Sequence, residues 1–138
     1  MSASVFFHID KPSSLPIGIT FDYIKNIETY DNESIDNIYI QDLLDYYSDD
    51  QINDFIQVLK SKLKTGGTIT IQSIDIKQLS RAVTFDEIET QLVKQLLYPL
   101  KRSIHTLYEI DSIFNGIDMK AINKKYINLF EYYIVIKK

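Results

Sequence analysis

Short apolar runs near the start of the chain predict β-strands. Residues 4–10, 19–24 and 35–40 are apolar or alternate apolar with polar positions, which favours extended structure. Residues 11–18 hold two prolines, a glycine and two serines, and no helix of useful length fits there. A polar turn at residues 31–34 is predicted to lead into the third strand.

The clearest helical pattern begins at Ser48. Ser48 and Gln51 have the spacing of a capping box, in which the serine accepts from a helical amide and the glutamine reaches back. The apolar stripe that follows has helical spacing and consists of Ile52, Phe55, Ile56, Leu59 and Leu63. We predict that Gly66 and Gly67 end this helix in a tight turn, because glycine tolerates positive φ.

The second half of the chain continues the alternation of strands and helices. Residues 68–74 are rich in β-branched side chains and predict a strand inside a sheet. Capping-box patterns at Thr84–Glu87 and Thr106–Glu109 predict two further helices. The first is expected to stop before Pro99, and the second to end at residues 115–116.

The last two apolar runs, residues 117–122 and 129–136, predict an antiparallel pair of strands that closes the sheet. Strands that alternate with helices favour an α/β fold with a largely parallel sheet. We see no linker or internal repeat. The 138 residues are therefore predicted to form a single domain, 1–138, with one core.

Composition narrows the classes of function. The net charge of −4 argues against a nucleic-acid partner, because phosphate binding normally needs a basic face. The chain has no cysteine and two histidines, so thiolate catalysis is excluded and no metal site is predicted. It contains neither an apolar run long enough to span a membrane nor a signal-peptide pattern. We expect a cytoplasmic protein that does not enter a membrane.

Four segments, in order, resemble class I S-adenosylmethionine-dependent methyltransferases of the type 11 kind, and the match covers about residues 20 to 138. Residues 30–40 resemble the turn and fourth strand of that family. Residues 43–46 lie where the family has leucine, glutamate and histidine, and both polar positions differ here. Residues 58–67 resemble the helix end and glycine turn before the fifth strand. Residues 106–117 resemble the last helix, which precedes antiparallel sixth and seventh strands.

The resemblance implies a Rossmann-like three-layer sandwich, with a mostly parallel sheet and a C-terminal antiparallel strand pair. The family holds S-adenosylmethionine with an acidic-Gly-x-Gly-x-Gly loop between its first strand and first helix. None of the four glycines here lies in such a loop, and about thirty residues precede the predicted fourth strand. We therefore predict a truncated domain that lacks most of the cofactor-binding half and places residues 4–10 beside the fourth strand.

The resemblance also suggests a few site candidates. Asp10 resembles the acid that binds the ribose hydroxyls of S-adenosylmethionine, although a turn-capping aspartate is the alternative. By the same resemblance, Asp22 is a candidate for the residue that accepts from the adenine amino group in this family. The residues after the fourth strand lie where the family places its contacts with the methyl acceptor. Gln41 is a candidate for cofactor binding, and the catalytic candidates are Asp42, Asp45 and Tyr46. The alternative is that these residues form a solvated loop. His105 is a candidate imidazole or an ordinary residue before a helix.

Three functional hypotheses follow. The first is a methyltransferase-like pseudoenzyme with a degenerate S-adenosylmethionine site, inactive by itself. The second is an active methyltransferase completed by a partner chain or by a homodimer. The third is a non-catalytic interaction module that uses the apolar surface left by missing helices. A homo-oligomer or a protein partner is expected, and a shortened enzyme of this kind is compatible with an origin in a phage or mobile element.

Overall fold

A computed structural model describes residues 3–8, 18–97 and 103–138 of the chain. One sheet of six strands runs through these ranges, and helices follow its third and fourth strands and precede its fifth. The strands are β1 (Ser4–His8), β2 (Thr20–Tyr23), β3 (Ile35–Gln41), β4 (Leu63–Ile74), β5 (Lys120–Tyr126) and β6 (Glu131–Lys137). The helices are α1 (Asp49–Lys62), α2 (Ile76–Thr84), α3 (Thr90–Leu97) and α4 (Leu107–Asn115), with 3-10 helices at Ile24–Thr29 and Leu44–Tyr46.

The strand order is β2-β1-β3-β4-β6-β5. Strands β2, β1, β3 and β4 are parallel to their neighbours, whereas β6 is antiparallel to both β4 and β5. The predicted α/β class and the mostly parallel sheet with a C-terminal antiparallel pair are confirmed. The N-terminal strand lies beside β3, as predicted, with Phe7 opposite Ile40. Asp10 and the predicted irregular stretch at residues 11–17 lie outside the described residues.

The two faces of the sheet are covered unequally by the described helices. Side chains on one face, including Phe7, Ile38 and Ile71, form one buried core with the apolar sides of α1 and α4. Because side chains alternate along a strand, the intervening residues point to the opposite face. We call this opposite face the open face and define it by the partly exposed residues Phe6, Tyr39, Thr70, Tyr133 and Val135.

Helix α1 begins as predicted but ends earlier. The capping box of Ser48 and Gln51 is formed on both sides. Leu63 has extended φ and ψ of −82° and 133° and starts β4 by pairing with Ile35 of β3. The predicted helix-ending turn at the two glycines is therefore wrong, because Leu63 pairs with β3 and joins the sheet three residues before Gly66. The glycines lie in an irregular part of β4, where Gly66 has a φ of +82°.

The second predicted capping box is wrong as well. Thr84 ends α2 instead of starting a helix, and its hydroxyl donates to the Ser80 carbonyl at 2.9 Å. The true cap of α2 is Asp75, whose Oδ1 accepts from the amides of Lys77 and Gln78. An aspartate before apolar residues with helical spacing was the signal for this helix.

The C-terminal elements follow the prediction more closely. Thr106 caps α4, and its hydroxyl accepts from the Glu109 amide at 3.1 Å. Strand β5 begins at Lys120, three residues after the predicted start, and pairs with β6 along the edge of the sheet. No helix in the described part of the chain is long and apolar enough to cross a membrane.

Candidate functional site

The order in which the chain adds strands to the sheet reverses between β1 and β3. Strand β2 lies on one side of β1, and β4 lies on the far side of β3. Open α/β sheets bind ligands beyond the carboxyl ends of the strands at such a switch point. His8 ends β1 and Gln41 ends β3, so these two residues mark the candidate site.

Gln41 and Asp42 lie together at this edge. Gln41 is exposed, and Asp42 adopts a left-handed backbone with a φ of 50°. The Asp42 amide donates to the Gln72 carbonyl at 2.9 Å, which fixes the turn against β4. A non-glycine residue in this conformation costs about 1–3 kcal/mol, and such residues concentrate at functional sites. These two candidates remain a proposal for ligand contacts.

Asp45 and Tyr46 occupy a different environment from Gln41 and Asp42. Asp45 is 2% exposed, and its Oδ2 accepts from the Ser73 hydroxyl at 3.3 Å. Burial, together with the charge of Asp45, raises the pKa of Tyr132. Tyr46 is partly exposed at the end of the same 3-10 helix. The structure thus places Asp45 in a buried polar cluster below the edge where Gln41 lies.

Asp22 lies on the core side of β2 with its carboxylate bonded to three donors. They are the Tyr23 amide at 2.8 Å, the Asn26 side-chain amide at 2.6 Å and the Tyr30 hydroxyl at 2.8 Å. The Asn26 bond is the main cause that lowers the pKa of Asp22. Burial, followed by the bond to Asp22, raises the pKa of Tyr30 to about 12. An adenine amino group would have to compete with these donors.

A cavity of about 260 Å³ opens beside His8, and the described residues that line it are His8, Tyr23, Ile24 and Lys25. The His8 and Tyr23 rings are 4.8 Å apart at 59°. Only 6% of His8 is exposed, and its Nδ1 has no hydrogen-bond partner in the described part of the chain. The sequence reasoning missed this cavity, although a histidine in an apolar strand was a visible signal.

His105 immediately precedes the Thr106 cap of α4, as the sequence indicated. Its Nε2 lies 3.0 Å from Asp49 Oδ1, and both residues line an open cleft of about 390 Å³. The pairing joins the starts of α1 and α4, which sequence spacing alone does not bring together. Among the described residues, no group of three or more histidine, aspartate or glutamate side chains could hold a metal ion.

Comparison with known proteins identifies the fold. No protein-family model and no curated protein sequence matches the chain. Solved structures do match. A S-adenosylmethionine-dependent methyltransferase from Archaeoglobus fulgidus has a TM-score of 0.63 and 13% identity, covering 98% of this chain and 76% of that one.

A second match carries bound ligands. It is the Burkholderia thailandensis 1,6-didemethyltoxoflavin-N1-methyltransferase with 1,6-didemethyltoxoflavin and S-adenosylhomocysteine, with a TM-score of 0.64 and 9% identity over 97% of this chain. A third comes from a complex that contains the Trm112 methyltransferase activator of Haloferax volcanii, with a TM-score of 0.63 and 10% identity over 90% of this chain.

These likenesses, at low identity, show the fold alone. The chain has a Rossmann-like α/β fold of the kind found in S-adenosylmethionine-dependent methyltransferases. It spans between 58% and 63% of the length of four of the similar structures, among them the second and third described above.

Proposed function

We propose that this protein is a methyltransferase-like domain whose S-adenosylmethionine site is incomplete, so that the chain is inactive by itself. The observation that carries the proposal is the connection from β1 to β2. It consists of residues 9 to 19, eleven in all, with Gly18 as its one glycine. A parallel crossover that includes a helix needs about a dozen residues or more, and a glycine loop would lengthen it.

The end of β1 supports the same proposal. In Rossmann-like folds, a glycine loop after a strand lets the backbone approach the ligand. Here β1 ends in the buried His8, whose ring stands 4.8 Å from Tyr23 of β2. Aromatic side chains, and no glycine loop, follow one another at this edge in the described residues, and we propose Gln41, Asp22 and, outside the described residues, Asp10 as the remaining cofactor contacts.

Titration calorimetry with S-adenosylmethionine and S-adenosylhomocysteine tests the proposal. We expect no binding up to about 1 mM ligand, the concentration that corresponds to a weak interaction of about −4 kcal/mol. A dispersed amide NMR spectrum of the same sample would show that the protein is folded. Micromolar binding by the isolated chain would overturn the proposal, because the cofactor site would then be complete.

A second candidate function is a methyltransferase completed by another chain or by a second copy. The open face favours it, since Phe6, Tyr39 and Val135 are partly exposed on a sheet whose other face is covered by helices. The Trm112 activator complex among the similar structures is a precedent for a protein partner. Analytical ultracentrifugation over a hundredfold concentration range tests for a homodimer. A monomer at every concentration would exclude the homodimer as the completing unit.

A further inference from the structure

We propose that the cavity at the carboxyl ends of β1 and β2 binds a small planar ligand that carries a carboxylate, with Lys25 pairing with the carboxylate and His8 supplying a hydrogen bond. This site is built from His8, Tyr23, Ile24 and Lys25. The inference does not depend on the proposed methyltransferase-like function, because it requires neither S-adenosylmethionine nor a methyl acceptor.

The unsatisfied Nδ1 atom of His8 supports a ligand in this cavity. The side chain is nine-tenths buried, and Nδ1 has no hydrogen-bond partner in the described ranges. Leaving a buried donor or acceptor unpaired costs about 1–3 kcal/mol, so most buried polar atoms in proteins are paired. Because His8 forms part of the cavity wall, a ligand in the cavity can supply the missing partner after a small rotation of the ring.

Aromatic rings at the ends of β1 and β2 support a planar ligand. The register between β1 and β2 places Phe6 beside Phe21 and His8 beside Tyr23. The rings of the first pair are stacked at 5.1 Å, and those of the second pair are 4.8 Å apart. Of these four rings, those of His8 and Tyr23 line the cavity, and such rings favour a flat ligand that packs against them. Tyr23 is 43% exposed, so this ring borders solvent.

The charge of Lys25 supports a ligand that carries a carboxylate. Lys25 is the one charged residue among the four described residues that line the cavity, and its Nζ lies 5.4 Å from the centre of the Tyr23 ring. The nearby Asp22 carboxylate is turned toward the core face and accepts from Asn26 and Tyr30. The described part of the lining therefore carries a positive charge, which would attract an anion. Its volume of about 260 Å³ is slightly below the range for drug-sized ligands and limits the ligand to one or two rings.

The probe that we would use is nicotinate, with nicotinamide as the matched neutral compound. We expect nicotinate to bind at least tenfold more tightly than nicotinamide, because only nicotinate can form an ion pair with Lys25. Long-range ¹H–¹⁵N NMR of the imidazole nitrogens reports the contact directly. His8 should shift on binding, and His105, the other histidine of the chain, should not.

Substitution of the exposed Lys25 tests the charge without disturbing the core. Lys25→Met keeps the length of the side chain, and we expect it to weaken nicotinate binding at least tenfold and to abolish the preference over nicotinamide. Lys94→Met, on an exposed position of α3, is the matched control and should bind like the wild type. Equal binding of the two compounds, an unshifted His8, no binding of nicotinate at all, or an unaffected Lys25→Met variant would each overturn the proposal.

Discussion

The hydroxyl of Tyr126 donates a hydrogen bond of 3.0 Å to Oδ2 of Asp75. The same oxygen accepts from the Leu107 amide at 2.9 Å, while Oδ1 accepts from the amides of Lys77 and Gln78. One carboxylate, 1% exposed, therefore joins the end of β4 to the starts of α2 and α4 and to the edge strand β5. It holds together the carboxyl end of the sheet on the side away from His8.

We expect Asp75→Asn to lower the free energy of unfolding by roughly 2–4 kcal/mol. The asparagine amide group would turn a donor toward groups that are themselves donors, and bonds to a charged acceptor are worth more than neutral ones. Urea unfolding followed by circular dichroism measures the change. Asp86→Asn, at an exposed position, is the control and should change stability by less than about 0.5 kcal/mol. A similar small loss for Asp75→Asn would contradict this role.

Tyr126→Phe should cost less, about 1 kcal/mol, because it removes a single bond from the carboxylate. Tyr108→Phe is the control, since Tyr108 is 66% exposed. Equal urea midpoints for these two variants would mean that the Tyr126 bond contributes nothing to stability.

Stability should also fall at alkaline pH because of this bond. Burial, followed by the bond to Asp75, raises the pKa of Tyr126 to about 12 from the ordinary value of 10.0. The contribution of the bond is therefore fully present below about pH 10 and is lost as the pH rises toward 12. Urea midpoints at pH 8 and pH 11 measure the loss, which should be smaller in Tyr126→Phe. An identical pH dependence in the variant would show that other tyrosines cause it.

The two glycines of β4 should respond differently to alanine. A Cβ on Gly67 would lie 2.6 Å from the backbone oxygen of Asp36, so the strands must separate, and we expect a loss of about 2–3 kcal/mol. A Cβ on Gly66 meets open space, but its φ of +82° strains alanine by about 1–2 kcal/mol. Gly66→Asn, which tolerates positive φ better, should cost less than Gly66→Ala. Thermal unfolding ranks the three variants, and a Gly67→Ala variant as stable as Gly66→Asn would contradict the predicted clash.

Local signals predicted most of the fold. The capping box at Ser48, the helix cap at Thr106 and the strand around Ile38 depend on neighbouring residues alone, and each was found. The errors came from long-range pairing. Leu63 continues the helical stripe in the sequence, but its pairing with Ile35 makes it a strand residue. Thr84 matches a capping box, yet α2, begun by Asp75, already includes it.

The site was less predictable than the fold for the same reason. Gln41 could be placed at a strand end from local pattern, whereas the buried state of Asp45 depends on Ser73, 28 positions away. The cavity beside His8 depends on the register between β1 and β2, which no sequence pattern fixed. Ring contacts across two strands are thus visible only once the sheet is assembled.

Asp22 is the candidate for adenine contact, and its carboxylate also has a structural role that can be tested. Because its carboxylate accepts from Asn26 and Tyr30, we expect Asp22→Asn to destabilise the fold by about 1 kcal/mol, a value discounted for partial exposure. The variant should also lower the pKa of Tyr30 from about 12, since the bond to a charged acceptor helps to keep that hydroxyl protonated. Carbon-13 NMR of the tyrosine rings measures this pKa.

The charge of Asp22 should also make the stability of the protein depend on pH in the acid range. The pKa of Asp22 is lowered in the folded protein, chiefly by the Asn26 bond, so its contribution to stability is present above about pH 4 and is lost as the pH falls further. Asp22→Asn should remove that acid-dependent loss, whereas Asp31→Asn, at an exposed position in the next turn, should retain it. If Asp22→Asn leaves stability, its acid dependence and the Tyr30 pKa unchanged, the carboxylate is not a structural acceptor, and the adenine role becomes the better explanation for it.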